Sequence, residues 1–90
     1  MEVFYFKNSV IQILELLANF AKSNKVSMQL KLEEAIPTVV AGDRSKFEIL
    51  FLNLMMKIIS KLHKKQINIY CRFRGVIANL DFTIQIIFSY

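Results

Sequence analysis

The 90-residue sequence predicts an α+β fold: a two-layer sandwich with two main helices on one face of a mixed, largely antiparallel sheet. Two segments carry apolar residues at the 3.6-residue period of a helix. Three others alternate apolar and polar residues, as half-buried strands do. Only two glycines and one proline interrupt the chain and no segment repeats, so we expect one domain over residues 1–90.

The first part of the chain predicts a strand, a helix and another strand. The aromatic, apolar segment 3–6 favours a short strand, and Asn8 or Ser9 suits the N-cap of the helix that follows. The apolar face of this helix has clear helical spacing: Val10, Ile13, Leu14, Leu17 and Ala21. Alternation over residues 26–32 then indicates a half-buried strand, which the proline of segment 36–37 ends.

A second helix is predicted from Arg44 to about Leu62, after a brief extended piece at 38–41 and a turn at Gly42. Asp43 is placed to cap this helix. The helix is apolar around most of its circumference, which is typical of a helix covered on more than one side. The face expected to pack against the sheet is Phe47, Leu50, Phe51, Leu54, Ile58 and Leu62.

The last third of the chain predicts an antiparallel hairpin. Residues 67–74 and 80–89 alternate apolar and polar side chains, and residues 75–79 turn the chain between them. Cys71 falls on the apolar side, where we expect a small buried hydrophobic residue. The other side of the hairpin is expected to face water: Asn68, Arg72, Arg74, Asp81, Thr83 and Gln85.

Composition excludes several classes of protein. One cysteine excludes a disulfide scaffold and a multi-cysteine zinc site, and fits an intracellular, reducing compartment such as the cytoplasm. No segment approaches the roughly 20 apolar residues of a membrane-spanning helix. The N-terminus has no basic leader. The adjacent Glu33 and Glu34 are expected in a solvated turn, so no catalytic or metal-binding set of side chains is predicted.

The net charge of +5 permits an acidic partner. Lysines of segment 61–65, with Arg72 and Arg74, form a basic cluster that could hold phosphates, although a solubilising helix end explains it more simply. Only Tyr70 is placed to stack on a base beside these arginines, so nucleic acid is an unlikely partner. We expect His63 to be an exposed residue at the helix end.

Three segments carry a resemblance to a known family: Ile36–Pro37, Gly42–Asp43–Arg44 and the helical stretch Phe47–Leu54, which reads FEILFLNL. Their order and spacing resemble the N-terminal part of the ATP-binding domain of sensor histidine kinases, the GHKL or Bergerat type. The resemblance extends from about Val3 to Phe88. It implies an α+β sandwich and, in the parent family, Mg-ATP as cofactor and protein-histidine phosphorylation.

The departures from this family concern the nucleotide site. Asn53 matches the first asparagine of the family's N box, but Lys57 stands where the family has the asparagine that binds magnesium. A charged lysine has no lone pair for a cation. Ser60 replaces the family's basic residue, with Lys61 beside it. Because the family's glycine-rich boxes and lid have no counterpart, we expect Asn53, Lys57 and Lys61 to be remnants and this chain alone to use no cofactor.

Without nucleotide and lid, one flank of the second helix is expected to lie uncovered: Leu52, Met55, Met56 and Ile59. A homodimer or a larger assembly would cover it. The final strand is a second candidate surface, because it is expected at a sheet edge.

The leading hypothesis is therefore a catalytically incomplete, kinase-like module that acts by protein association, in a regulatory or structural role. One alternative is a fragment of an active sensor histidine kinase that binds ATP and phosphorylates a histidine. A weaker alternative is a basic nucleic-acid-binding domain. The residue at position 57 discriminates the first two, because an active kinase needs the magnesium ligand there.

Overall fold

The computed structural model describes residues 2–62, 64–76 and 81–90. In chain order the elements are β1 (Glu2–Tyr5), α1 (Phe6–Ser23), β2 (Ser27–Leu32), β3 (Val39–Gly42), α2 (Arg44–Lys61), β4 (Gln66–Val76) and β5 (Asp81–Ser89). The predicted α+β class and order of elements are confirmed. The predictions for His63, Leu80 and most of the turn at 75–79 lie outside the described residues.

The strands form two sheets rather than the single sheet that was expected. β1 and β3 pair antiparallel as a two-stranded ribbon, with Glu2 opposite Gly42. β4 is the middle strand of the other sheet, parallel to β2 and antiparallel to β5. β1 leads into α1 and β3 leads into α2, so this ribbon lies where both helices start. β5 lies at an edge, as predicted.

Both helices pack on one face of the three-stranded sheet. One continuous core joins buried residues of α1, α2 and β4, among them Val10, Met55, Ile59, Ile67 and Cys71. On the other face of the sheet, Asn68, Thr83 and Gln85 are exposed. The two-layer sandwich and the buried cysteine are therefore as predicted.

The start of α1 differs from the prediction. The helix begins at Phe6, its N-cap is Tyr5 with no side-chain capping bond, and Ser9 is buried within the helix. Burial of Phe6, whose ring lies 5.4 Å from that of Phe47, extends the helix back to the end of β1. Packing therefore outweighs the capping preference of Asn8 and Ser9, which is worth only about 0.5–2 kcal/mol.

The end of α1 is a Schellman motif. Val26 N donates to Ala21 O at 2.9 Å, and Lys25 N donates to Lys22 O at 3.0 Å. Lys25 has φ of 58°, in the left-handed region that this motif requires. The motif turns the chain sharply into β2, so α1 ends at the edge of the sheet where β2 begins.

Parallel pairing of β2 with β4 brings the ends of both helices to one place. Ser27 lies opposite Gln66, and Ser27 N donates to Lys65 O at 3.1 Å. The connection from α1 to β2 and the connection from α2 to β4 are therefore side by side. The C-terminal carbonyls of both helices point toward this end of the molecule.

Candidate functional site

The side of α2 that faces away from the core carries exposed apolar side chains. Leu50, Ile49, Leu54 and Met56 keep 68%, 59%, 43% and 40% of their full exposure. Exposed polar and basic side chains lie among them: Lys46, Asn53, Lys57, Ser60 and Lys61. We call this set the outer face of α2. Four residues with a predicted nucleotide or interface role belong to it: Asn53, Met56, Lys57 and Lys61. The other three, Leu52, Met55 and Ile59, do not.

Contacts at the start of α2 fix the helix in place. Asp43 Oδ1 accepts a hydrogen bond from Lys46 N at 3.0 Å, which confirms the predicted N-cap. Glu2 Oε1 in β1 accepts a hydrogen bond from Arg44 N at 3.3 Å, so the ribbon of β1 and β3 is joined to the first turn of the helix. These two contacts tie the first turn of α2 to its N-cap and to β1.

The structure corrects the prediction of which α2 residues lie uncovered. Met55 and Ile59 are fully buried in the core, so neither is available as an interface residue in the folded chain. Leu52 is half-buried and Met56 is exposed. An association role remains a prediction for these two residues.

The face of α2 that was predicted to pack against the sheet is also partly wrong. Leu50 and Leu54, which were expected to be buried, are exposed. The cause is the aromatic cluster at the start of the helix. The ring of Phe47 packs against Phe6 of α1 and Phe4 of β1, at centroid distances of 5.4 and 6.1 Å. These rings set the rotation of a helix that is apolar on nearly every side.

The predicted remnant nucleotide residues form a ridge on the outer face. Asn53, Lys57 and Lys61 are spaced four residues apart, so they lie along one side of α2, and all three are exposed. Leu50 and Leu54 flank this ridge on the same side. The ridge offers one amide and two ammonium groups, which attract anions and provide no acidic ligand for a cation.

The basic cluster expected from residues 61–74 is not one site. Arg72 Nε donates to Gln85 Oε1 at 2.6 Å on the exposed face of the sheet. Arg74 Nη1 lies 3.5 Å from Glu33 Oε1. Arg74 is eight residues along β4 from Gln66, a distance of about 26 Å in a strand. The two arginines are therefore engaged far from the lysines that precede β4.

Two lysines for which no role was predicted join Lys64 and Lys65 instead. Lys22 and Lys25 line the same cleft as that pair, at the start of β2 and β4. A signal for this existed in the sequence, since two lysines lie close to each passage from a helix to an alternating strand: Lys22 and Lys25 after the first helix, and Lys64 and Lys65 after the second. Recognising it required the prediction that the two strands are parallel neighbours.

Glu33 is half-buried and bonded rather than solvated. Its carboxylate accepts hydrogen bonds from Tyr70 Oη and from Phe73 N, each at 3.0 Å. The pKa of Glu33 is lowered, mainly by the Phe73 bond, then by the Tyr70 bond, against the opposing effect of partial burial; Arg74 lowers it further. The pKa of Tyr70 is raised, chiefly because it donates to Glu33. This cluster fastens the chain after β2 to the middle of β4.

Other chemical features of the described residues are few. Cys71 is fully buried, and burial raises the pKa of its thiol to about 11, so it is a poor nucleophile. Within residues 2–62, 64–76 and 81–90, no three His, Cys, Asp or Glu side chains are grouped to hold a metal ion. Neither helix in these ranges is long and apolar enough to cross a lipid bilayer.

Comparisons with known proteins add no family assignment. The chain matches no protein-family model, and a search of curated proteins finds no relative. The resemblance to histidine-kinase ATP-binding domains therefore rests on the residues quoted from the sequence.

Proposed function

We propose that this chain is a catalytically incomplete relative of histidine-kinase ATP-binding domains that acts by binding another protein through the outer face of α2. The observation that carries the proposal is the exposure of Ile49, Leu50, Leu54 and Met56 on one helix. Full burial of a side chain of this size contributes about 1.5–3 kcal/mol relative to exposure. A partner that covers these four residues would recover part of that free energy.

The charge of the outer face favours a partner with acidic residues. Lys46, Lys57 and Lys61 are exposed there, whereas Glu48, the single acid of α2, is half-buried. A second copy laid along the same face would bring lysines against lysines, which is unfavourable although salt screens it over about 8 Å. An apolar helix of another protein, flanked by glutamate or aspartate, complements both the leucines and the lysines.

Position 57 supports the catalytically incomplete part of the proposal. Lys57 is exposed on the outer face and stands where the resembled family has its magnesium-binding asparagine. Its ammonium group repels a divalent cation and cannot ligate one. We therefore expect Mg-ATP to bind the chain weakly at best. Titration calorimetry that gave a micromolar dissociation constant would favour the active-kinase alternative.

The test of association uses a synthetic helical peptide with leucines on one face and glutamates beside them. Fluorescence anisotropy should show binding that weakens with added salt, and Leu50→Gln with Leu54→Gln should weaken it about tenfold or more. The matched control is Leu16→Gln, since Leu16 is 72% exposed on α1, and this change should leave binding unaltered. A peptide with lysines in place of the glutamates should bind poorly.

Two results would contradict this proposal. Equal binding of both peptides, or equal weakening by the Leu16 variant, would show nonspecific attraction to apolar surface. Sedimentation that shows a dimer of the wild type, lost in the Leu50 and Leu54 variant, would show that a second copy occupies the outer face instead of an acidic partner.

A further inference from the structure

A second surface, away from the outer face of α2, has the features of an anion site. An open cleft of about 640 Å³ lies where β2 and β4 begin. Four lysines line it: Lys22, Lys25, Lys64 and Lys65. Ser27 and Gln66 contribute further polar groups, and apolar side chains form the rest of the lining: two alanines, Val26 and Met28.

The fold brings these lysines together from two separate parts of the chain. The bond from Ser27 N to Lys65 O, at 3.1 Å, joins the two helix-to-strand connections. The register of the parallel pair, with Ser27 opposite Gln66, keeps them adjacent. Because both connections are anchored to the sheet, the lysine backbones are in place before a ligand binds.

The positive charge of the cleft is not compensated within the described residues. Their ion pairs within 4.0 Å are Arg44 with Glu2 and Arg74 with Glu33, and none of these residues lines the cleft. The C-terminus of each helix contributes a partial charge of only about −0.5. Four ammonium groups against two helix ends leave a local charge of about +3.

Two of the four lysines occupy backbone conformations in which lysine is uncommon. Lys25 has φ of 58° and Lys64 has φ of 57°. Glycine or asparagine enters this region at less steric cost. Each of these two lysines therefore stands where backbone sterics alone would favour glycine or asparagine.

From this geometry we propose that the cleft binds a small anion that carries more than one phosphate group. Several ammonium groups around one open cleft suit a ligand with several negative charges, since each added phosphate meets a further lysine. The ligand chemistry is common to a free oligophosphate and to a multiply phosphorylated lipid headgroup. This site does not depend on the function proposed for the outer face of α2.

The test titrates the full chain with inorganic tripolyphosphate by calorimetry and follows the amide signals of Ser27 and Gln66 by NMR. We expect binding that weakens steeply with salt, shifts of both amides, and weaker binding of inorganic phosphate. Lys25→Gln with Lys65→Gln should raise the dissociation constant about tenfold, because two charge-assisted contacts are lost.

The matched control is Lys7→Gln with Lys31→Gln, which removes the same charge from α1 and β2 at positions that do not line the cleft. It should leave tripolyphosphate binding nearly unchanged. Equal weakening by the two pairs would overturn the proposal, because net charge and not the cleft would then explain binding. Absence of tripolyphosphate binding to the wild type would overturn it as well.

A second variant separates binding from a purely structural role of these lysines. Lys25→Gly should melt at a higher temperature than the wild type and still bind tripolyphosphate more weakly. A variant that melts higher and binds equally well would count against the site.

Vesicles distinguish the two sources of ligand. Sedimentation with phosphatidylcholine vesicles that contain a phosphatidylinositol bisphosphate, competed by tripolyphosphate, would identify the headgroup. Tripolyphosphate binding without vesicle binding would identify a soluble anion. Both outcomes support a site for multiple phosphates.

Discussion

The two helices have the same length and similar positions, yet they differ in how their sequences specify packing. Each has 18 residues, follows a short strand and ends where a strand of the parallel pair β2 and β4 begins. In α1, the predicted residues Val10, Ile13, Leu17 and Ala21 are buried. α2 is rotated about its axis relative to the prediction. Leu50 and Leu54 are exposed, whereas Met55 and Ile59 are buried.

The difference comes from the polar residues. Opposite its apolar face, α1 carries Gln12, Glu15, Asn19 and Lys22, all exposed, so any other rotation would bury polar groups at a cost. Only a narrow polar stripe limits α2, and several rotations bury similar apolar area. Contacts with neighbouring side chains then determine the rotation of α2. The apolar residues that remain exposed are available to a partner.

The most disruptive test of this comparison places charges at the buried positions of α2. Met55→Lys with Ile59→Glu should unfold the chain, because both changes bury a charge in the core and the attraction between the two charges does not repay the cost of desolvating them. The total stability of such a domain is only about 5–15 kcal/mol. Circular dichroism should show loss of helix. A folded, more soluble monomer would instead restore the view that these residues form an interface.

Alanine substitutions of buried and exposed isoleucines measure the difference between the two helices as free energies of unfolding. Ile13→Ala in α1 and Ile59→Ala in α2 should each lower the free energy of unfolding by about 2–5 kcal/mol, because both residues are buried. Ile11→Ala and Ile49→Ala, at exposed positions of the same helices, should change it by about 0.5 kcal/mol or less. Urea titrations give all four values, and a large loss for Ile49 would show that α2 is rotated differently.

The glutamate that fastens the sheet beneath both helices gives a pH test. Since the pKa of Glu33 is lowered from its ordinary value of 4.5, its stabilisation is fully present above pH 4.5 and is lost as the pH falls through the lower, folded-state pKa. Glu33→Gln should therefore be less stable than the wild type at neutral pH. The two proteins should converge in acid.

Urea midpoints measured between pH 2 and pH 7 would show the effect, with Glu34→Gln as control because Glu34 is exposed. A constant difference between wild type and Glu33→Gln across this range would contradict the role of the ionised carboxylate.

The smallest expected effect concerns the ends of the two helices. Lys25→Gly and Lys64→Gly should each stabilise the fold by about 0.5–1 kcal/mol, because glycine removes the steric cost of a left-handed backbone while adding flexibility to the unfolded chain. For a domain of this size, 1 kcal/mol corresponds to about 4–8 °C in Tm. Thermal melts check the prediction, and a lower Tm for either variant would refute it.

Local patterns in the sequence determined much of this protein. Helical spacing predicted α1 and its buried face, alternation predicted β2, β4 and β5, and Asp43 was correctly predicted to cap α2. The burial of Cys71 followed from the same alternation. These features were predictable because they depend on residues a few positions apart, whose side chains share one face of one element.

The tertiary structure alone decided the rotation of α2, the division of the strands into two sheets and the meeting of Lys22 and Lys25 with Lys64 and Lys65. Each depends on which elements lie side by side. Local patterns do not show which elements pair when their residues are about 40 positions apart in the sequence. On α2 the apolar pattern permits several packings of similar free energy. The aromatic contacts of Phe47, supplied by other elements, select the one that forms.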